Sequence, residues 1–234
     1  MNKIVRQEMF QKLARTPTYI LVGSFGLLMV SQLISLGLSS IIPIESYSDS
    51  IKTLFNTAVL GFSIAFILLI LVKLYGGGIS SLGLRKPKNH WLKLTILSVI
   101  GYLIFSSLLI ILISYLFKSF DPNQTQDVGI SGPLSLVDKI AGFIAIVVLT
   151  PIIEETLFRG IIFRGIRLSS PFWLAALISS SLFALAHGQW NVALDTFVLG
   201  LVLCNLADRT RSILPGIFIH ALKNSVAFIL LFVL

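Results

Sequence analysis

With 56% hydrophobic and only 12% charged residues over 234 positions, and a mean hydropathy of +0.94, this chain is not a water-soluble domain, since those carry about 25% charged residues. At about 20 residues per span the length holds about seven transmembrane helices, six to eight, and leaves no room for a soluble domain: an all-α polytopic bundle forming one membrane domain over 1–234. The net charge of +8 is accounted for by basic loops on one membrane face and implies no nucleic-acid partner, while the single Cys204 excludes an internal disulfide and a cysteine-based metal site.

The first span is predicted over 18–42. Lys3, Arg6, Lys12 and Arg15 precede it, and its apolar run is too long for a signal-peptide core and lacks a small-residue cleavage site, so it reads as an uncleaved anchor. After a short acidic loop with Glu45 and Asp49, span 2 covers 53–74. A glycine-rich, basic connection follows, with Gly76, Gly77, Gly78, Arg85, Lys86 and Lys88, and it reads as lying at the membrane interface. Span 3 covers 92–117. The polar stretch 118–133 is turn-forming and reads as mobile. Span 4 covers 137–163, and Arg164, Arg167 and Pro171 mark a turn before span 5 over 172–187. Span 6 covers 192–207 and span 7 covers 213–233.

Placing the N-terminus in the cytoplasm puts 14 of the 18 Lys and Arg on the cytoplasmic side; only Lys52, Lys118, Lys139 and Lys223 fall elsewhere. The positive-inside bias therefore favours a multi-pass cell-membrane protein with its N-terminus in, its C-terminus out and an odd number of spans.

Ionisable groups at membrane depth cost several kcal/mol each or about that, so the few present carry information. Span 4 holds adjacent Glu154 and Glu155 with Arg159. Glu155 and Arg159, four apart, share a face and suit an ion pair. Glu154 points about 100° away and lacks a partner in its own helix, as suits a general base or acid. His187 ends span 5, four after Phe183, whose ring can pack on the imidazole. In span 7, His220 and Asn224 stand one turn apart and can jointly bind a metal-held water, a carbonyl oxygen or an oxyanion. Asp195 reads as a helix-packing contact, Lys223 as a snorkelling side chain, and Cys204 as inert packing. At 1.5 Å per residue, Glu154 lies about 13 Å below the basic end, or about 20 Å if the helix continues to Arg167. The shallower placement points to a polar cavity opening inward.

These residues spell Glu154-Glu155-x-x-Phe158-Arg159, Phe183-x-x-x-His187 and His220-x-x-x-Asn224, in that order. The pattern resembles the CAAX-protease and bacteriocin-processing (Abi) family of intramembrane proteases, relatives of the type II CAAX prenyl endopeptidases. The resemblance implies a helical membrane fold with a conical polar cavity, a catalytic core over 137–234, and peptide-bond hydrolysis of a peptide or membrane-protein substrate within the lipid bilayer. It implies that Glu154 activates water with help from His187, that His220 and Asn224 stabilise the oxyanion, and that Glu155, Arg159 and Phe183 support them. Two chemistries fit the same side chains: a divalent metal such as zinc on Glu154, His187 and His220, or metal-free attack by glutamate-activated water. The chain has no His-Glu-x-x-His motif. Peptide or pheromone processing and self-immunity are the family's associated roles. A non-catalytic immunity or scaffold protein of the same fold is the competing class. A proton-coupled transporter would favour internal repeats, and none is visible.

Overall fold

The fold is a computed structural model that describes residues 17–75, 79–88, 90–124, 126–131 and 133–234. The basic residues Lys3, Arg6, Lys12 and Arg15 and the glycines Gly76, Gly77 and Gly78 lie outside the described residues. Seven helices follow one another: α1 (Pro17–Ile41), α2 (Asp49–Tyr75), α3 (Trp91–Leu116), α4 (Leu136–Arg167), α5 (Phe172–Leu185), α6 (Trp190–Thr210) and α7 (Leu214–Phe232). Among the described residues there is no strand. All but α5 are long and apolar enough to cross a membrane, and their outer surfaces are clad in exposed Leu, Ile, Phe and Val. In a bilayer that apolar surface meets lipid, and the helix satisfies its own backbone groups. The protein is a multi-pass membrane protein.

The predicted spans agree with these helices to within a few residues. The largest departure is at α4, which passes through the expected turn and continues to Arg167. Leu168 and Ser169 then donate back to Gly165 and Ile166, closing the helix before Pro171. α5 is short, but it links opposite ends of the bundle. Its start follows the Arg167 end of α4. Beyond its finish, Gln189 Oε1 accepts from the Asp127 amide in the loop between α3 and α4. It therefore runs from one end of the bundle toward the other, while six of the seven helices are long and apolar enough to cross a membrane.

α4 packs against α1, α2, α5, α6 and α7 and is the central element; α7 also meets α3 and α6, α5 lies along α6, and α6 along α3. Gly200 permits the α5–α6 approach, because a Cβ there would lie 2.8 Å from Ser180 Cβ. The core runs through Leu157, Phe163, Ile166, Phe183, Leu199, Leu203 and Ile213.

Both connections expected to be loose are tied down. In the α3–α4 loop, Gly129 and Asn123 donate to the side chains of Asp127 and Asp121, and Ser131 Oγ donates to Asp49 Oδ2 at 3.1 Å. Ser135 and Asp138 form a reciprocal capping box at the start of α4. The basic strap 79–88 is docked on the bundle. Lys88 N donates to Thr210 O at 2.8 Å, Ile213 N to Gly83 O at 3.0 Å, and Ser212 Oγ to Arg85 O at 2.6 Å.

Candidate active site

α4 contains two π-helical stretches, Ile144–Leu149 and Thr156–Phe163, flanking the short α-helical turn Thr150–Glu155 that carries both glutamates. A π stretch widens the helix and leaves a carbonyl without its usual partner. In each stretch a side chain from another helix supplies one. Asn224 Nδ2 on α7 donates to Ile146 O at 2.9 Å, and Ser179 Oγ on α5 donates to Phe158 O at 2.9 Å. The irregular backbone is thus stitched to the two helices that bring the other site residues.

Glu155 and Arg159 form the expected ion pair, Nη1 to Oε1 at 2.7 Å, and both are fully buried. The pair does not stand alone. His220 Nδ1 lies 3.2 Å from the same Glu155 oxygen, while its Nε2 lies 3.6 Å from Glu154 Oε2. His220 therefore bridges the two adjacent carboxylates, one through each ring nitrogen. With Glu155 ionised against Arg159, Nδ1 is the protonated nitrogen and donates to it. The first turn of α7 also reaches Glu155: a Cβ on Gly216 would lie 3.3 Å from Glu155 Oε2.

Phe183 is the hub. Its ring is fully buried and meets His187 edge-on at 4.8 Å, His220 at 5.7 Å and Phe158 at 5.1 Å, with the Arg159 guanidinium carbon 4.2 Å from its centroid. His187 sits in the turn after α5, whose chain reversal uses the left-handed Gly188 (φ +68°). Its Nδ1 donates to Phe183 O at 2.7 Å, which leaves Nε2 as the acceptor nitrogen. Glu154, His220 and Lys223 all act electrostatically on His187. Glu154, His187, His220 and Asn224 are thereby gathered from three segments into one region, with Glu155, Arg159 and Phe183 behind them.

The side chain of Glu154 keeps 27% exposure, against 1% for Glu155. The two neighbours thus differ in access: Glu154 keeps part of its side chain exposed, with Oε2 shielded, and Glu155 is sealed. Because α4 runs to Arg167, Glu154 lies about 20 Å from that end, near the middle of a hydrocarbon core of about 30 Å. The shallow depth that favoured an inward opening does not hold.

Glu154 and His220 come close, but among the described residues no group of three or more His, Cys, Asp or Glu is placed to hold a metal ion. His187 Nδ1 is bound to a carbonyl and His220 Nδ1 to Glu155, which leaves Nε2 as the accepting nitrogen of each ring.

A second polar group lies beside the site. Tyr102 Oη on α3 donates to Asp195 at 2.7 Å, Ser106 Oγ also donates to it, and Lys223 Nζ pairs with Asp195 Oδ2 at 3.0 Å. Lys223 therefore turns inward instead of snorkelling, because a buried carboxylate on α6 offers it a partner. Opposite charges at membrane depth on two spans were the available signal for this pair. Cys204 is fully buried in the core, as its apolar setting suggests.

Residues 136–226 match the family model for type II CAAX prenyl endopeptidase Rce1-like proteins. An Escherichia coli "Uncharacterized 24.3 kDa protein" is 38% identical over 92 residues, 37% of this chain and 42% of that protein. The Bacillus subtilis (strain 168) "Putative membrane peptidase YdiL" is 36% identical over 75 residues, 32% of this chain and 31% of that protein. The chain thus aligns with less than half the length of either relative. No solved structure matches it. The matched stretch, residues 136–226, holds Glu154, Glu155, Arg159, Phe183, His187, His220 and Asn224.

Proposed function

We propose that this protein is an intramembrane endopeptidase that hydrolyses a peptide bond with water activated by Glu154. The observation that carries the reading is the division of labour between adjacent carboxylates: Glu155 is sealed against Arg159 and His220, while Glu154 stays accessible within 3.6 Å of His220 Nε2. A carboxylate held near an imidazole and partly exposed at membrane depth suits general-base chemistry.

In this mechanism Glu154 takes a proton from water as the water oxygen attacks the scissile carbonyl carbon. His187 Nε2, the acceptor nitrogen, orients that water. Negative charge gathers on the former carbonyl oxygen, and His220 with the remaining Asn224 N–H stabilises it. Glu155 acts through His220, because its contact with Nδ1 fixes the orientation of the ring. The intermediate collapses with cleavage of the C–N bond, and Glu154 returns its proton to the leaving amine. One water is consumed, giving a carboxylate and an amine. No step passes through a metal. The substrate class is a peptide or a membrane protein entering from the bilayer.

The test is cleavage of a peptide library in detergent by the wild type and by Glu154→Gln. The variant should lose about 10²–10⁴-fold in rate with an unchanged melting temperature. Equal activity in both would remove Glu154 from the mechanism. A variant that cleaves nothing yet still protects cells against a peptide toxin would favour an immunity role for the fold.

A further inference from the structure

Charges inside this bundle are paired, Glu155 with Arg159 and Asp195 with Lys223. One group breaks that rule. Three arginines converge where the strap 79–88 meets the turn between α6 and α7. Gly83 has φ +84°, and a Cβ on it would stand 2.7 Å from the Arg164 guanidinium, which therefore lies against the Gly83 backbone. Arg85 Nε donates to Arg211 O at 2.6 Å, and Ile213 N donates to Gly83 O at 3.0 Å. Arg85, Arg164 and Arg211 thus surround one turn, and the first and last act electrostatically on Arg164.

Among the described residues Asp208 is the acid that acts on Arg164, and Arg167 already engages it at 3.4 Å. Arg164 Nε and Nη2 are shielded from solvent without a hydrogen-bond partner. Shielded donors without partners are rare and costly, and like charges held together repel. Three guanidinium groups gathered at one turn with such donors suit an anion. Guanidinium groups match phosphate oxygens in geometry as well as charge. The cluster stands at the end of α4 and α6, at the level of lipid headgroups, where basic pockets between helices attract them.

We propose that Arg85, Arg164 and Arg211 form a binding site for a phosphate-bearing anion, a lipid headgroup or free phosphate, that locks the strap onto the bundle. The strap in turn touches the helix of the active site: a Cβ on Gly160 would lie 2.8 Å from Leu82 O, and Gly160 adjoins Arg159. Occupancy would hold this contact closed. The inference does not depend on the peptidase reading.

Hydrogen–deuterium exchange on the full chain tests it, read at the amides of Lys88 and Ile213, with residues 121–131 at the opposite end as control. The arms are nanodiscs of phosphatidylcholine alone, with added phosphatidylglycerol, with added oleate, and phosphatidylcholine with inorganic phosphate in solution. Phosphatidylglycerol should slow exchange by about tenfold at a tenfold excess over its dissociation constant, leaving the control unchanged. The same protection by inorganic phosphate alone would support the site and make free phosphate the ligand. Arg164→Gln should lose the protection, and so should Arg211→Gln, whose exposed side chain makes it the variant least apt to disturb folding. Equal exchange in every arm would overturn the proposal. So would protection by oleate equal to that by phosphatidylglycerol, which would reduce the effect to surface charge, or protection undiminished in both variants.

Discussion

Arg159 sits at the junction of charge and packing, pairing with Glu155 at 2.7 Å while lying 4.2 Å from the Phe183 ring centroid. Replacing it with Leu leaves Glu155 ionised and buried against His220 alone. Breaking a buried pair from one side costs about 3–5 kcal/mol, so Arg159→Leu should lower the melting temperature in detergent markedly. Glu155→Leu combined with Arg159→Leu should recover part of that loss, because no buried charge is stranded. Both should depress activity: the double variant removes the carboxylate that holds His220 Nδ1, and Arg159→Leu removes the partner that holds that carboxylate. A metal requirement can be read at this scale too. Among the described residues no group of three or more His, Cys, Asp or Glu is placed to hold a metal ion, and the mechanism proposed above uses none. Treatment of active enzyme with a chelator should leave its rate unchanged, and loss of activity restored by zinc would contradict the mechanism given above.

At the scale of elements, α4 stands out for its two π stretches. A regular α-helix would leave neither Ile146 O nor Phe158 O in need of a donor, and Asn224 and Ser179 would lose their anchors. The same helix presents Gly160 to the strap, with no room for a Cβ against Leu82 O. Gly160→Ala should therefore push the strap off, raising amide exchange at Lys88 and Ile213, while its circular dichroism stays that of wild type. A substituted helix that kept the strap protected would show that the close approach is not required.

For the whole molecule, the basic strap, the α4–α5 turn and the α6–α7 turn gather at one end. The α3–α4 loop and the Gln189 side of α5 gather at the other. By the positive-inside bias the first end is expected in the cytoplasm. In a Cys204→Ala background, a cysteine at Ser169 should react with a membrane-impermeant thiol reagent only in inverted vesicles. One at Asn123 should react only in right-side-out vesicles. The reverse pattern would invert the topology. A crossing by α5 would have a related consequence: its 14 residues span about 21 Å, so the bilayer should be locally thinner there.

The sequence by itself determined the number and placement of the helices, because apolar runs must match bilayer thickness and their basic flanks choose a side. It also singled out candidate site residues, since membrane-depth Glu, His and Asn are scarce in this chain, and the i,i+4 spacing of Glu155 with Arg159 already implied their pair. What the tertiary structure decided were the relations across helices. That His220 bridges Glu154 and Glu155, that Phe183 seats both histidines, and that Lys223 turns in to Asp195 depend on how α4, α6 and α7 rotate against one another. Helical periodicity does not encode that rotation. The π stretches were likewise invisible, because they arise from side chains of α5 and α7 capturing α4 carbonyls rather than from local propensity. The docked strap follows from hydrogen bonds between segments more than a hundred residues apart, a contact that no local reading of a basic loop contains.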